Sequence, residues 1–174
     1  MPATMPNPWT TGTAFGSGSP LNAVTFAGAP FSANRTSGLQ TISDGSSNTL
    51  MMSEVIIGIP GSSGASSSGV YGDHRGDIYN DDYNCAMFMA YTAPNATIPD
   101  QMGYTNFCQY PNGTNPPCNA NTPVYNAARS WHSGGVNALY CDGSVKFAKS
   151  SVNVLTWRAL GTTQGGEVIS SDQY

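Results

Sequence analysis

Charge is scarce in this chain. Asp, Glu, Lys and Arg together make up 9% of its 174 residues, against about 25% in an ordinary domain. Only six residues are Lys or Arg, set singly along the chain, and the net charge is −4. So few cations build no phosphate-tracking stripe, which excludes nucleic acid as a partner. The same shortage argues against an anionic membrane surface. Long apolar runs are missing too. No stretch approaches the roughly 18 residues of a bilayer span, and no basic-then-apolar signal opens the chain. Met1-Pro2 leads straight into Pro, Thr and Gly. The expectation is that a targeting segment belongs upstream of this sequence. Cysteine is limited to Cys85, Cys108, Cys118 and Cys141, and no pair has C-x-x-C spacing. That argues against a zinc knuckle or a thioredoxin-like centre.

What the chain has is turn chemistry. Gly (20) and Pro (12) are abundant, and hydrophobic residues still reach 39%. A core is therefore affordable, with short strands between many turns and few long helices. Length suits one domain. Residues 1–38 read as an irregular segment pinned by Phe15, Leu21, Val24, Phe26 and Phe31. Residues 39–169 read as the folded head, and residues 170–174 as a frayed tail. The region 49–57 reads as a buried strand with Glu54 in its middle, a carboxylate that needs a partner or an exit to water. Residues 60–69 form a Gly/Ser loop. Ala86-Met87-Phe88-Met89-Ala90-Tyr91 reads as another strand, and residues 94–123 as a long loop.

The clearest local signal lies near the C-terminus. Two alternating arms, Val136 to Cys141 and Ser144 to Ala148, flank Asp142-Gly143 and predict a β-hairpin. A short helix follows over 154–160, with Asn153 as N-cap and Gly161 at C′. Val154, Trp157 and Leu160 fall on its docking face. Cys108 and Cys118 flank a loop rich in Asn, Gly and Pro, and a disulfide closing it is the natural reading in an oxidising compartment. Cys85 and Cys141 sit in apolar stretches as buried small hydrophobes, with a second bridge between them as the alternative. The fold class that follows is β-rich α+β: an antiparallel sheet with the C-terminal hairpin, one short helix and long loops.

Several segments together resemble a known family. His132-Ser133-Gly134-Gly135-Val136-Asn137-Ala138-Leu139-Tyr140-Cys141-Asp142-Gly143 is a His, nine residues, then Asp-Gly. It resembles the C-terminal signature of a large bacterial family of prepilin-type proteins, labelled as of unknown function or as solute-binding. Asp44-Gly45-Ser46-Ser47-Asn48-Thr49-Leu50 with Glu54 resembles the family's central segment. Arg75-Gly76, Pro94-Asn95 and Asp100 resemble its middle. Trp157-Arg158-Ala159-Leu160-Gly161 with Gly165-Gly166-Glu167-Val168 resembles its ending. The resemblance runs from about Gly38 to Val168. It implies a type IV pilin or pseudopilin architecture: a leader, a long apolar N-terminal helix, then a β-rich head. The leader and helix lie outside this sequence. Partners would be other pilin-like subunits through that helix, and the location would be extracellular, at the cell surface or periplasmic.

Four constellations carry possible chemistry. His132 and Asp142 fall at opposite ends of one hairpin arm, which favours an architectural role: Asp142 and Gly143 make the turn, Gly134 and Gly135 allow a bend, and His132 bonds locally. A metal or acid–base role for His132 is the alternative. Asp73, Asp77, Asp81 and Asp82, interleaved with Gly and Asn, are hard oxygen ligands of the kind Ca²⁺ takes, and related pseudopilin heads hold calcium in C-terminal loops. The order lacks the EF-hand's twelfth-position Glu, so a solvated acidic loop in which Arg75 pairs a neighbouring Asp is favoured. A hydrolase built on His132, Asp142 or His74 is disfavoured, because no Gly-x-Ser-x-Gly elbow links a strand to a helix. Lastly, Tyr79, Tyr83, Tyr104 and Trp131 stand in a loop-rich, Asn- and Asp-rich region. They suit an extracellular polysaccharide, although core packing is the commoner fate of aromatics.

Overall fold

The computed structural model describes residues 27–32, 37–59, 72–79, 85–104, 107–121 and 124–170. Most of the expected N-terminal segment, the Gly/Ser loop, Asp81, Asp82, Tyr83 and nearly all of the tail lie outside the described residues. The fold is a β-rich α+β arrangement with five strands and one α-helix among the described residues. Strand β1 is Leu50–Ser53, β2 Asp100–Gln101, β3 Cys118–Asn119, β4 Gly135–Tyr140 and β5 Val145–Lys149; helix α1 is Val154–Leu160.

β1, β4 and β5 form an antiparallel sheet in that order, and β2 and β3 form a small parallel pair. The hairpin forms at the residues that predict it. Asp142 accepts from the Ser144 N–H at 2.9 Å and the Ser144 hydroxyl at 2.7 Å, and Gly143 takes φ +85°. That positive φ favours glycine. Gly135 has a different reason to be glycine: a Cβ there would run into the Ala148 carbonyl of the facing strand.

β4 buries Val136, Ala138 and Tyr140 on one face, as a period of two requires. Ala148, Leu50, Trp157 and Leu160 complete the core around them. α1 starts as expected, with the Asn153 side chain accepting from the Leu155 N–H at 2.8 Å. Its end differs from expectation. Gly161 has φ −79° rather than a left-handed conformation, and its missing side chain instead makes room for Ala90, whose Cβ would stand 2.6 Å away. Val154 is also not on the docking face: it is exposed, and the helix buries Trp157, Ala159 and Leu160.

Three further expectations are corrected. The strand expected over 49–57 is regular only at Leu50–Ser53, because beyond it Glu54 and Gly58 pair with loop backbone, at Arg129 and Arg75. No strand forms over 86–91. Met89 instead donates one bond to the Asn126 carbonyl, and Phe88 packs on the core edge. The 94–123 region is not structureless, since it carries β2 and β3, and Gln101 exchanges two bonds with Tyr125.

Trp157 is fully buried. Trp157→Ala is therefore expected to cost about 3–5 kcal/mol of unfolding free energy, and Val154→Ala less than about 1 kcal/mol. Urea unfolding of the two variants checks the contrast.

Candidate functional site

β1 ends where Glu54 turns its carboxylate towards β4. The Glu54 carbonyl accepts from the Arg129 N–H at 2.8 Å, which fixes the backbone. One carboxylate oxygen accepts from the Asn137 N–H at 2.7 Å. The other accepts from the Asn137 side-chain amide at 3.1 Å and lies 3.0 Å from His132 Nε2. An ionised carboxylate only accepts, so His132 Nε2 carries the hydrogen in this pair. Nδ1 is then the ring's lone-pair acceptor while the imidazole is neutral. The turn beneath is held rigidly: the Ser130 hydroxyl donates to the Gly135 carbonyl at 2.7 Å and accepts from the His132 N–H at 3.1 Å.

Burial works to raise the Glu54 carboxyl pKa. The two bonds from Asn137 and the bond and charge of His132 outweigh it, and the net shift is downwards. His132 is 55% exposed and Glu54 32%, so the dyad meets solvent. It is an imidazole oriented by a carboxylate, an arrangement able to take a hydrogen-bond donor or a proton. The described side-chain partners of the His132 ring, Glu54 and Asn137, include no hydroxyl or thiol. His132 thus bonds locally through its backbone, to Ser130, and through its ring bonds a residue 78 positions away, a partner the local reading did not include. Asp142 serves the β4–β5 turn and does not join it.

A second cluster lies inside the protein. Arg75 forks onto Asp73 through Nε at 2.8 Å and Nη2 at 2.5 Å, and reaches Asp100 through Nη1 at 2.9 Å. Arg129 also grips Asp100, at 2.9 Å from Nη2, and donates to the Ala96 and Ile98 carbonyls. All four side chains are at most 5% exposed. Burial acts to lower the Arg75 pKa, yet the bonds and charges of Asp73 and Asp100 raise it above its ordinary value. The expected pairing of Arg75 with a neighbouring Asp is real. Its setting is corrected from solvated loop to interior.

The Cys108–Cys118 disulfide closes the loop beside this cluster. On the chain-entropy account, a loop of this length contributes about 3 kcal/mol. The loop supplies Asp73 with donors from the Gln109 N–H at 3.2 Å and the Asn115 amide at 3.3 Å. Cys85 and Cys141 are buried and not bridged to one another, and burial raises the Cys141 thiol pKa, with Asp142 adding to it.

The other expected site residues disperse. Asp73 is committed to Arg75, while Asp77 lies 3.5 Å from His74 and accepts from the Tyr79 N–H. Among the described residues no group of three His, Cys, Asp or Glu stands ready for a metal. Tyr79, Tyr104 and Trp131 are exposed, at 95%, 59% and 70%. Tyr104 rests against Phe107, which meets the His74 ring at 4.7 Å. Tyr125, also in the aromatic-rich middle, is core. Asp44 holds the end of the chain: it accepts from the Gly165 and Gly166 N–H groups and the Thr162 hydroxyl. Gly45 next to it has φ +92°, and Asn48 closes a short 3-10 turn. Arg129 was invisible in the sequence, because nothing local marks a lone Arg 29 residues from its Asp.

Two outcomes follow. The lowered Glu54 pKa means that its contribution to stability is complete above the ordinary carboxylate range and is lost as pH falls through the lowered value. Urea midpoints measured across that acid range should fall less for Glu54→Gln than for the parent chain. Arg75→Met, which strands Asp73 in the interior, is expected to cost about 3–5 kcal/mol in the same assay.

A protein-family model described as "Protein of unknown function (DUF1559)" matches residues 4–155. The match contains Glu54, Arg75, His132 and Asp142, begins well before Gly38, and ends before Trp157. No curated protein and no solved structure matches the chain. With most of its length inside that match, the chain belongs to the DUF1559 family.

Proposed function

We propose that this chain is the exported globular head of a pilin-like structural subunit, of a surface filament or a secretion-type pseudopilus. One observation carries the reading: the outer face of the three-stranded sheet is apolar and open. Met52, Leu139 and Val145 lie side by side across β1, β4 and β5, and Phe147 lies beside Asn137. Met52 is 51% exposed, Val145 64% and Phe147 46%. A contiguous apolar face of this kind marks an interaction surface. A three-stranded sheet offers it to a long apolar helix, the partner that a pilin architecture supplies. The disulfide agrees with an oxidising compartment.

A second reading, an extracellular glycan-binding module, draws on exposed Trp131, the residue that precedes His132 of the dyad. Hydrolysis through His132 has less behind it, since its ring has no hydroxyl or thiol among its described side-chain partners.

The test joins a long apolar-faced helix to the N-terminus and looks for filaments by negative-stain electron microscopy. The parent fusion should assemble. A Val145→Glu/Phe147→Glu fusion should remain dispersed while its urea midpoint corresponds to a loss of no more than about 1 kcal/mol. Assembly that ignores the two substitutions, or a parent fusion that never assembles, contradicts the reading. Retardation in a polysaccharide affinity gel, lost in Trp131→Ala, would favour the glycan module instead.

A further inference from the structure

We infer that the Cys108–Cys118 disulfide is a latch. Its closure completes the buried charge cluster, so that the loop-rich half of the head becomes ordered only after oxidation, whereas the sheet half does not depend on it. The inference stands apart from the filament reading.

The geometry of Asp73 leads to it. Its carboxylate is fully enclosed and accepts from Arg75 and from two groups of the disulfide loop, the Gln109 N–H and the Asn115 amide. A third loop group, the Pro117 carbonyl, accepts from Arg75 Nη1 at 3.3 Å and from the Asp100 N–H at 3.0 Å. Cys118 opens β3 opposite Asp100, and its sulfur lies 4.0 Å from Asp73. The disulfide therefore holds three partners of two buried ion pairs in place. A buried charge that loses hydrogen-bond partners is strongly destabilised, because water is not there to replace them. With the loop open, Asp73 and Arg75 regain water only by leaving the interior. The sheet core of Val136, Ala138, Tyr140, Ala148 and Trp157 uses none of these partners.

Closure is a two-electron step. The Cys108 and Cys118 thiols together lose two protons and two electrons and form the S–S bond. An acceptor disulfide, such as that of a thiol–disulfide oxidoreductase, takes them up as two thiols. In a reducing compartment the step does not persist, and the head would reach an oxidising compartment with its loop half still open.

Hydrogen exchange read by mass spectrometry tests this on the whole chain, oxidised and after treatment with a phosphine reductant. On reduction, peptides carrying the Arg75, Gln109 and Ala127 amides should exchange at least about tenfold faster, and those from β4 and β5 should change by less than about threefold. Cys108→Ala/Cys118→Ala should reproduce the reduced pattern. In the oxidised protein, Asn115→Ala should loosen only the peptides around its own partners, Asp73, Ile59 and Gln109. Unchanged exchange at Arg75 and Gln109 in the reduced chain or in the cysteine variant overturns the latch. So does acceleration of the β4 and β5 amides in step with the loop amides.

Discussion

The loop-rich half of the structure depends on one buried constraint: two arginines and two aspartates that neutralise each other away from water. In a chain with so few charges, Asp73, Arg75, Asp100 and Arg129 are spent in the interior. Burying them is costly unless every donor and acceptor is matched. The matching partners come from all over the loop-rich half. Ala96 and Ile98 hold Arg129, Ala127 donates to Asp100, and Gln109 and Asn115 serve Asp73. A region poor in regular structure thereby acquires a defined conformation without a large apolar core.

The same cluster meets the sheet half at one point. Arg129 grips Asp100 with its side chain and Glu54 with its backbone, so the end of β1 is set by the cluster. Glu54 in turn positions His132 and Asn137 at the edge of the outer sheet face. Segments far apart in sequence therefore meet in one place, where His132 has Glu54 as its partner. The exposed Met52, Val145 and Phe147 of the sheet, the His132–Glu54 dyad and the closed disulfide loop thus belong to one connected framework.

Legibility in the sequence followed locality. The β4–β5 hairpin, the Asn153 cap and the Cys108–Cys118 closure each rest on residues close together in the chain, and each was readable. Glu54 was readable as an anomaly, a carboxylate in an apolar run, but its partners 78 and 83 residues away were not. In the charge cluster the pairing of Arg75 with a neighbouring Asp was readable, whereas the links to Asp100 and Arg129 were hidden, because positions 25 and 54 residues beyond Arg75 correspond to no periodicity. The strand expected over 86–91 failed because an apolar run reports burial without reporting pairing. Phe88 is indeed packed on the core, yet one backbone bond from Met89 replaces the ladder. Gly161 showed the converse, a glycine correctly placed but present to let Ala90 approach rather than to turn the chain left-handed.

The central claim is that Asp100 and Arg129 act as a coupled pair at the heart of this cluster. A double-mutant cycle measures it directly: urea unfolding of the parent chain, Asp100→Asn, Arg129→Met and the double variant. The account predicts a coupling energy of at least about 2 kcal/mol, with the double variant far less destabilised than the sum of the singles. A coupling below about 0.5 kcal/mol would mean that the two side chains contribute independently, and the buried cluster would not be what organises the loop-rich half.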